Sequence, residues 1–137
     1  MLNKKIKDYY IHGDLNCAET LVRALSDVYN LDIGQEEMKL LSGFGLGMGC
    51  KRTCGVLCGG IAALGKLTVS DRAHATEGFS EVCEALVLAF EKSLGSDQCG
   101  ALREKYRTDA ERCLPTILKG AHLIEDFLTS HGIHPKL

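Results

Sequence analysis

The sequence predicts an all-α, single-domain bundle of about six or seven helices spanning residues 1–137. Apolar residues recur at helical spacing along most of the chain, and no stretch alternates apolar and polar residues as a half-buried strand would. Residues that favour helix starts and ends flank these segments. A length of 137 residues fits one domain with a substantial core, and no linker, repeat or low-complexity tract divides it.

Capping residues indicate where the predicted helices begin. After a first helix near Leu2, the pairs Asn16 with Glu19 and Thr108 with Glu111 have the spacing of a capping box. In that motif each side chain accepts a hydrogen bond from the backbone amide of the other residue. Further helix starts are expected at Asp32, Thr53 and Asp71, and a short turn or helix is expected to begin at Ser96 or Asp97.

Glycine, asparagine and proline indicate where the predicted helices end. The expected ends lie near Gly13, Asn30, Gly95 and Gly132. Pro115 would remove a backbone hydrogen bond from a helix that began at Thr108 and ran through it. A break or kink is therefore predicted just after Cys113, which would leave this thiol exposed.

Glycine occupies every second position between Gly43 and Gly49. Because glycine has no side chain, this segment can turn sharply or lie close to another group. It lacks the spacing and the preceding strand of a dinucleotide-binding motif, and no Gly-Lys-Ser/Thr closes it as in a phosphate-binding loop. On the next helix, Gly55, Gly59 and Ala63 share a face where a neighbouring helix can approach closely.

Composition narrows the functional classes. The 16 basic and 18 acidic residues give a formal net charge of -2, and no basic stripe with interleaved aromatic residues indicates nucleic-acid binding. The charged first eight residues do not resemble a secretion signal. The longest weakly polar stretch, residues 55–65, is about half as long as a membrane span. These features predict a cytoplasmic protein without a membrane span.

Cysteine is unusually frequent. The seven cysteines are Cys17, Cys50, Cys54, Cys58, Cys83, Cys99 and Cys113. An odd number of cysteines without a secretion signal argues against a framework of structural disulfides. In a reducing compartment, so many thiols more often indicate metal, cluster or redox chemistry.

The predicted helix starts distinguish two of these thiols from core residues. Cys17 follows the cap Asn16, and Cys54 follows the predicted cap Thr53. At a helix start the unpaired amides and the helix dipole favour a thiolate, so lowered pKa values are expected at both cysteines. Cys99 near a helix start and Cys113 beside a proline suit either packing or chemistry.

The remaining cysteines give weaker signals. Cys50, Cys54 and Cys58 form C-x3-C-x3-C, which on a helix would place the thiols on one face with two of them within reach of one metal ion. This is not the C-x2-C spacing of common zinc sites. Cys58 also suits a buried apolar stripe, as does Cys83 between Val82 and Leu86. The histidines form no close ligand pattern.

Over roughly residues 9–130 the sequence resembles the redox-active family named for its C-GCAxxG-C-C cysteine pattern. The resemblance rests on Asn16–Glu19, the glycine-rich segment at 42–49, the run Cys54–Gly60, Leu94–Ser96 and the cysteines that follow. It implies that the four cysteines of the family are Cys17, Cys54, Cys99 and Cys113. Val56 stands where the family motif has alanine, and Cys50, Cys58 and Cys83 are additional to the four.

Together these features predict that Cys17, Cys54, Cys99 and Cys113 converge into one centre for electron transfer or redox relay. Four thiolates suit an iron–sulfur cluster or a tetrahedral zinc ion, with Cys50 and Cys58 as additional candidate ligands. Two reversible disulfides that exchange electrons with a partner protein or a small-molecule thiol are the other option.

Two alternative functions remain at this stage. One is a zinc or iron binding and trafficking protein that uses the same thiols. The other is a helical interaction module with structural cysteines, in which close-packing glycines serve association into a homo-oligomer. No motif in the sequence assigns a catalytic residue.

Overall fold

A computed structural model describes residues 1–136, of which no part forms a named strand and 73% is helical. The seven α-helices within these residues are α1 Leu2–Lys7, α2 Cys17–Tyr29, α3 Gln35–Met38, α4 Gly55–Thr68, α5 Phe79–Leu94, α6 Cys99–Tyr106 and α7 Leu114–Ser130. The predicted all-α bundle of about six or seven helices is therefore confirmed. None of these helices combines the length and apolar character needed to cross a membrane.

Shorter helical turns join some of these elements. A π-helical turn over Asp8–His12 extends α1 to Gly13, and a 3-10 turn over Lys39–Phe44 follows α3. A second 3-10 turn, Ala73–Ala75, lies between α4 and α5. The chain between α3 and α4 thus stays compact although it contains the glycine-rich segment.

The core forms where α4 packs against α2, α5 and α7. A Cβ atom added at Gly59 would lie 3.2 Å from the Ala18 carbonyl oxygen and from Val22 Cγ2, so glycine permits the close approach of α2. Gly120 of α7 similarly faces Val56, because an added Cβ there would lie 2.5 Å from Val56 Cγ1. The family alanine can thus be replaced by the larger Val56, which is fully buried against a glycine.

Several predicted helix boundaries are confirmed. Asn16 caps α2 through a complete capping box with Glu19, and Asn30 ends the helix in a left-handed conformation. Gly95 ends α5 in the same way. These boundaries depend on residues that contact one another along the chain, so a sequence pattern is sufficient to locate them.

Three predicted helix starts are wrong. Asp32 has a φ of 56°, whereas an N-cap is extended, and α3 instead begins after Gly34. The helix expected at Asp71 begins at Phe79, because 3-10 and turn structure occupies the intervening residues. Thr53 does not cap α4: it pairs with Gln98, and Cys54 occupies the position before the helix.

The segment before Cys113 also differs from the prediction. Thr108 and Glu111 form a turn, in which the Glu111 amide donates to Thr108 Oγ1 at 3.0 Å. Arg112 then has a φ of 54°, so no helix can run through it. Pro115 lies in the first turn of α7, where a missing N–H costs no helical bond, and no kink arises. Cys113 is buried, not exposed.

Candidate functional site

Four helices begin beside one another in the fold. Cys17 and Cys99 are the first residues of α2 and α6, whereas Cys54 and Cys113 immediately precede α4 and α7. All four side chains line one cavity of about 260 Å³, named here the cysteine cavity. Because a helix start carries unpaired amides and partial positive charge, the thiols lie at the positive ends of four helices.

The capping box fixes the position of Cys17. The Asn16 amide donates to Glu19 Oε1, and the Glu19 amide donates to Asn16 Oδ1, each at 2.9 Å. The Asn16 side-chain amide also donates to the Ser42 carbonyl at 3.1 Å. One residue therefore both starts α2 and ties the glycine-rich segment to it.

A short antiparallel bridge positions Cys54 beside Cys99. Thr53 pairs with Gln98, and on either side the Cys54 amide donates to the Asp97 carbonyl at 2.8 Å. The Cys99 amide donates to the Arg52 carbonyl at 2.6 Å. These bonds hold the starts of α4 and α6 together although the two helices are distant in sequence.

Two glycines make room for these thiols. A Cβ on Gly47, which has a φ of +56°, would lie 2.7 Å from Cys99 Cβ. A Cβ on Gly55 would lie 2.9 Å from the Phe44 carbonyl oxygen and 3.4 Å from Cys17 Cβ. Gly43 and Gly49 differ, because open space surrounds both. Only part of the glycine pattern therefore serves the cavity.

Cys17 and Cys113 interact directly across the cavity. The Cys17 side chain interacts with the Cys113 sulfur, and this interaction is the main reason why the pKa of Cys113 is lowered to about 6. Arg103 Nη1 approaches the same sulfur at 3.8 Å, and the charge of Arg107 acts in the same direction. Tyr10 also contacts this residue, since its hydroxyl accepts a bond from the Cys113 amide at 3.2 Å. Cys113 is thus a thiolate with a thiol neighbour.

The other cavity cysteines have raised pKa values. The bond to Cys113 raises the pKa of Cys17, since losing the proton would remove that bond and place two negative sulfurs together. Burial raises the pKa of Cys54 to about 11, and it also raises the pKa of Cys99. The lowered pKa values expected at Cys17 and Cys54 are therefore wrong: the interaction with Cys113 outweighs the helix-start effect at Cys17, and desolvation outweighs it at Cys54.

The remaining three cysteines lie elsewhere. Cys50 is exposed on the turn before α4, where its thiol donates to the Gly47 carbonyl at 3.6 Å. Cys58 and Cys83 are half-buried on α4 and α5, and neither lines the cysteine cavity. Because Cys50 and Cys54 precede α4, the C-x3-C-x3-C run does not form one helical face, contrary to the sequence interpretation.

Among residues 1–136, no group of three or more His, Cys, Asp or Glu side chains is arranged to hold a metal ion. All seven cysteines are free thiols.

Four other residues of the cavity did not emerge from the sequence: Tyr10, Arg103, Arg112 and Thr116. For two of them, spacing in the sequence could have indicated a place near a cysteine: Arg103 follows Cys99 by one helical turn, and Thr116 follows Cys113 by three positions. No such spacing links Tyr10 to the site, because it lies 103 residues from the Cys113 amide that it contacts.

The comparisons with known proteins fit this geometry. A family model described as "Putative redox-active protein (C_GCAxxG_C_C)" matches residues 15–127. The matched range contains all four cysteines of the cavity but not Tyr10. Searches of curated proteins and of solved structures found no significant match.

Proposed function

Because the chain belongs to the C_GCAxxG_C_C family of redox-active proteins, we propose that it is a thiol redox protein whose reactive pair is Cys17 and Cys113. The observation that carries this proposal is that the two cysteines line one cavity and that each is the largest influence on the pKa of the other. A dithiol exchanges two electrons by forming and breaking one disulfide, and the two sulfurs must be neighbours to do so.

Cys113 is the nucleophile of the proposed reaction. Its thiolate attacks one sulfur of a substrate disulfide, the substrate S–S bond breaks, and one half leaves as a thiolate. Cys17 then gives up its proton and attacks the Cys113 sulfur of the mixed disulfide. The second half leaves, and the Cys17 proton passes to one of the two released thiolates. The protein pair is oxidised by two electrons and the substrate disulfide is reduced by two.

Arg103 and Tyr10 act through Cys113 in this mechanism. The Arg103 guanidinium lies against the sulfur and stabilises its negative charge before attack. The Tyr10 hydroxyl accepts from the Cys113 amide and thus holds the residue where α7 begins. Both are positioning residues, since neither exchanges electrons.

Cys54 and Cys99 form the proposed second dithiol. They are held side by side by the bridge between Thr53 and Gln98, and they line the same cavity. Their raised pKa values keep them protonated and slow to react until an oxidised pair lies next to them. Exchange between the two pairs would pass the disulfide from one side of the cavity to the other. A small thiol or a redox partner protein in the cytoplasm would then restore the reduced state.

The test is to oxidise the reduced protein with a disulfide reagent under native conditions and to map disulfides by peptide mass spectrometry. The expected first product is a Cys17–Cys113 disulfide that a dithiol reductant reverses. Cys113→Ser and Cys17→Ser should abolish it, whereas the matched control Cys83→Ser should not.

Two results would overturn the proposal. Thiols that all stay free under oxidation would favour the interaction module instead. Purified protein that contains stoichiometric zinc, or an iron–sulfur chromophore that Cys113→Ser removes, would favour the metal centre instead. Metal analysis and a visible spectrum of protein purified without oxygen therefore accompany the disulfide map.

A further inference from the structure

The cysteine cavity carries positive charge beyond its helix starts. Arg103 and Arg112 both line it and both are half-buried. Asp14 is the one carboxylate among its lining residues, and that side chain is exposed to solvent. Solvent and salt screen a partly buried charge less than an exposed one, so the two arginines influence a molecule in the cavity more strongly than Asp14 does. Because Arg103 is opposed by the Cys113 sulfur, Arg112 is the half-buried charge among these lining residues that no buried group of opposite charge balances, and it can attract an anion.

Arg112 contributes its charge from a fixed position. Its guanidinium carbon lies 4.6 Å from the centre of the Tyr10 ring, and Nη2 donates to the Tyr10 carbonyl at 3.5 Å. Among residues 1–136, Arg103 donates a hydrogen bond to the Cys113 sulfur, whereas Arg112 does not. Its charge is thus available to something else in the cavity.

Thr116 gives an independent indication of a ligand. This residue lines the cavity and is 4% exposed, yet its hydroxyl has no hydrogen-bond partner among residues 1–136. Most buried polar groups are paired, and an unpaired hydroxyl costs free energy. The hydroxyl is closed to solvent in this structure, so a polar group of a bound molecule would supply the missing partner once the Thr116 side chain turns toward the cavity.

The dimensions of the cavity limit the size of that molecule. Cys113 is only 8% exposed, and it lies at the wall of the cavity. The cavity volume of about 260 Å³ is the size of a small-molecule site. A small molecule reaches a sulfur that is buried in this way more readily than the disulfide of a folded protein does.

We propose that the cysteine cavity binds a low-molecular-weight disulfide that carries a carboxylate, with Arg112 and Thr116 contacting the carboxylate beside the Cys113 sulfur. This inference rests on the proposed dithiol function and names the substrate class for it. Cys113 attacks the nearer sulfur of the substrate and releases one half as a thiolate. Cys17 displaces the second half, so the products are two small thiols and a Cys17–Cys113 disulfide.

Three symmetrical disulfides that differ mainly in charge provide the test: 3,3′-dithiodipropionate is anionic, 2-hydroxyethyl disulfide is neutral and cystamine is cationic. The rate of Cys17–Cys113 disulfide formation is measured with each. The anionic probe should react faster than the cationic one by about tenfold or more, since a positively charged cleft concentrates anions by such factors. Added salt should reduce the difference.

Two substitutions test whether Arg112 and Thr116 cause the preference for the anionic probe. Arg112→Gln and Thr116→Val should each lower the rate ratio of the anionic to the neutral probe, by about fivefold or more for the arginine. Arg72→Gln is the matched control, because it removes an equal charge from an exposed residue that does not line the cavity. This variant should retain the ratio of the natural chain.

The outcomes separate the two proposals. Equal rates with all three probes would overturn the anionic substrate and leave the dithiol function standing. Failure of every probe to form the Cys17–Cys113 disulfide would overturn the dithiol function itself. A ratio that falls equally in Arg72→Gln and Arg112→Gln would show an effect of net charge and would also overturn the binding site.

Discussion

Cys17 at the start of α2 and Cys113 immediately before α7 line the same cavity, and each is the largest influence on the pKa of the other although they are distant in sequence. The interaction lowers the pKa of Cys113 and raises that of Cys17, so the two thiols are unequal. In the proposed mechanism Cys113 therefore attacks and Cys17, which keeps its proton longer, resolves the mixed disulfide.

The first prediction concerns pH. The pKa of Cys113, about 6, lies below the ordinary thiol value of 9.0. The rate of its alkylation by iodoacetamide should therefore rise with pH and reach half of its plateau near pH 6. The folded state is also stabilised above the ordinary thiol pKa, and this contribution is lost as the pH falls through about 6. Peptide mass spectrometry of the alkylated protein measures the profile for Cys113 alone.

Removing the proton donor should shift that profile upward. In Cys17→Ala the Cys113 sulfur loses the interaction that lowers its pKa most, so the midpoint should rise by about one pH unit or more. Cys17→Ser retains a hydroxyl donor and serves as the control, with a smaller change. An unchanged midpoint in Cys17→Ala would contradict the hydrogen bond as the main cause.

Arg103 should be needed for the charge of Cys113. Arg103→Gln removes the guanidinium that lies 3.8 Å from the sulfur, and the midpoint of alkylation should rise by about one pH unit. Arg103→Lys retains the positive charge and should restore part of the shift. A purely structural role would instead lower the melting temperature of both variants and leave the midpoint unchanged.

Gly55 should be intolerant of a side chain. Gly55→Ala places a Cβ 2.9 Å from the Phe44 carbonyl oxygen, so α4 must move away from its neighbours. The free energy of unfolding should fall by about 1–3 kcal/mol. Gly43→Ala is the control, since nothing lies within 4 Å of the added atom. Equal stability of the two variants in urea unfolding would argue against close packing at Gly55.

Cys83 should be dispensable. It is half-buried on α5 and does not line the cysteine cavity. Cys83→Ala should leave disulfide formation intact and change the free energy of unfolding by less than about 1 kcal/mol. A folded Cys83→Ala protein without redox activity would show that the reactive thiols have been assigned wrongly.

Thr116→Val should fold at least as stably as the natural chain. The hydroxyl that it removes is buried without a partner, and the replacement preserves its shape. We expect the free energy of unfolding to stay the same or to rise by up to about 1 kcal/mol. A clear loss of stability in thermal unfolding would mean that the hydroxyl already has a partner in the ligand-free protein.

The sequence by itself determined the helical class and the start of α2, and it indicated the four cysteines that line one cavity. Asn16 and Glu19 cap α2 through bonds between near neighbours, so their spacing is enough to locate the helix. The failures at Asp32 and Asp71 have a common cause. Backbone conformation there depends on the surrounding fold, and a capping residue type is present without the capping geometry.

Only the tertiary structure decided which cysteine is the thiolate. The helix-start argument applies to all four cavity cysteines and cannot rank them. The ranking comes from desolvation and from contacts between distant segments, which bring Cys17, Arg103 and Tyr10 to Cys113. The pKa of a buried group depends on every dipole and charge within a few ångströms. Many of those neighbours are distant along the chain, so the sequence alone does not identify them.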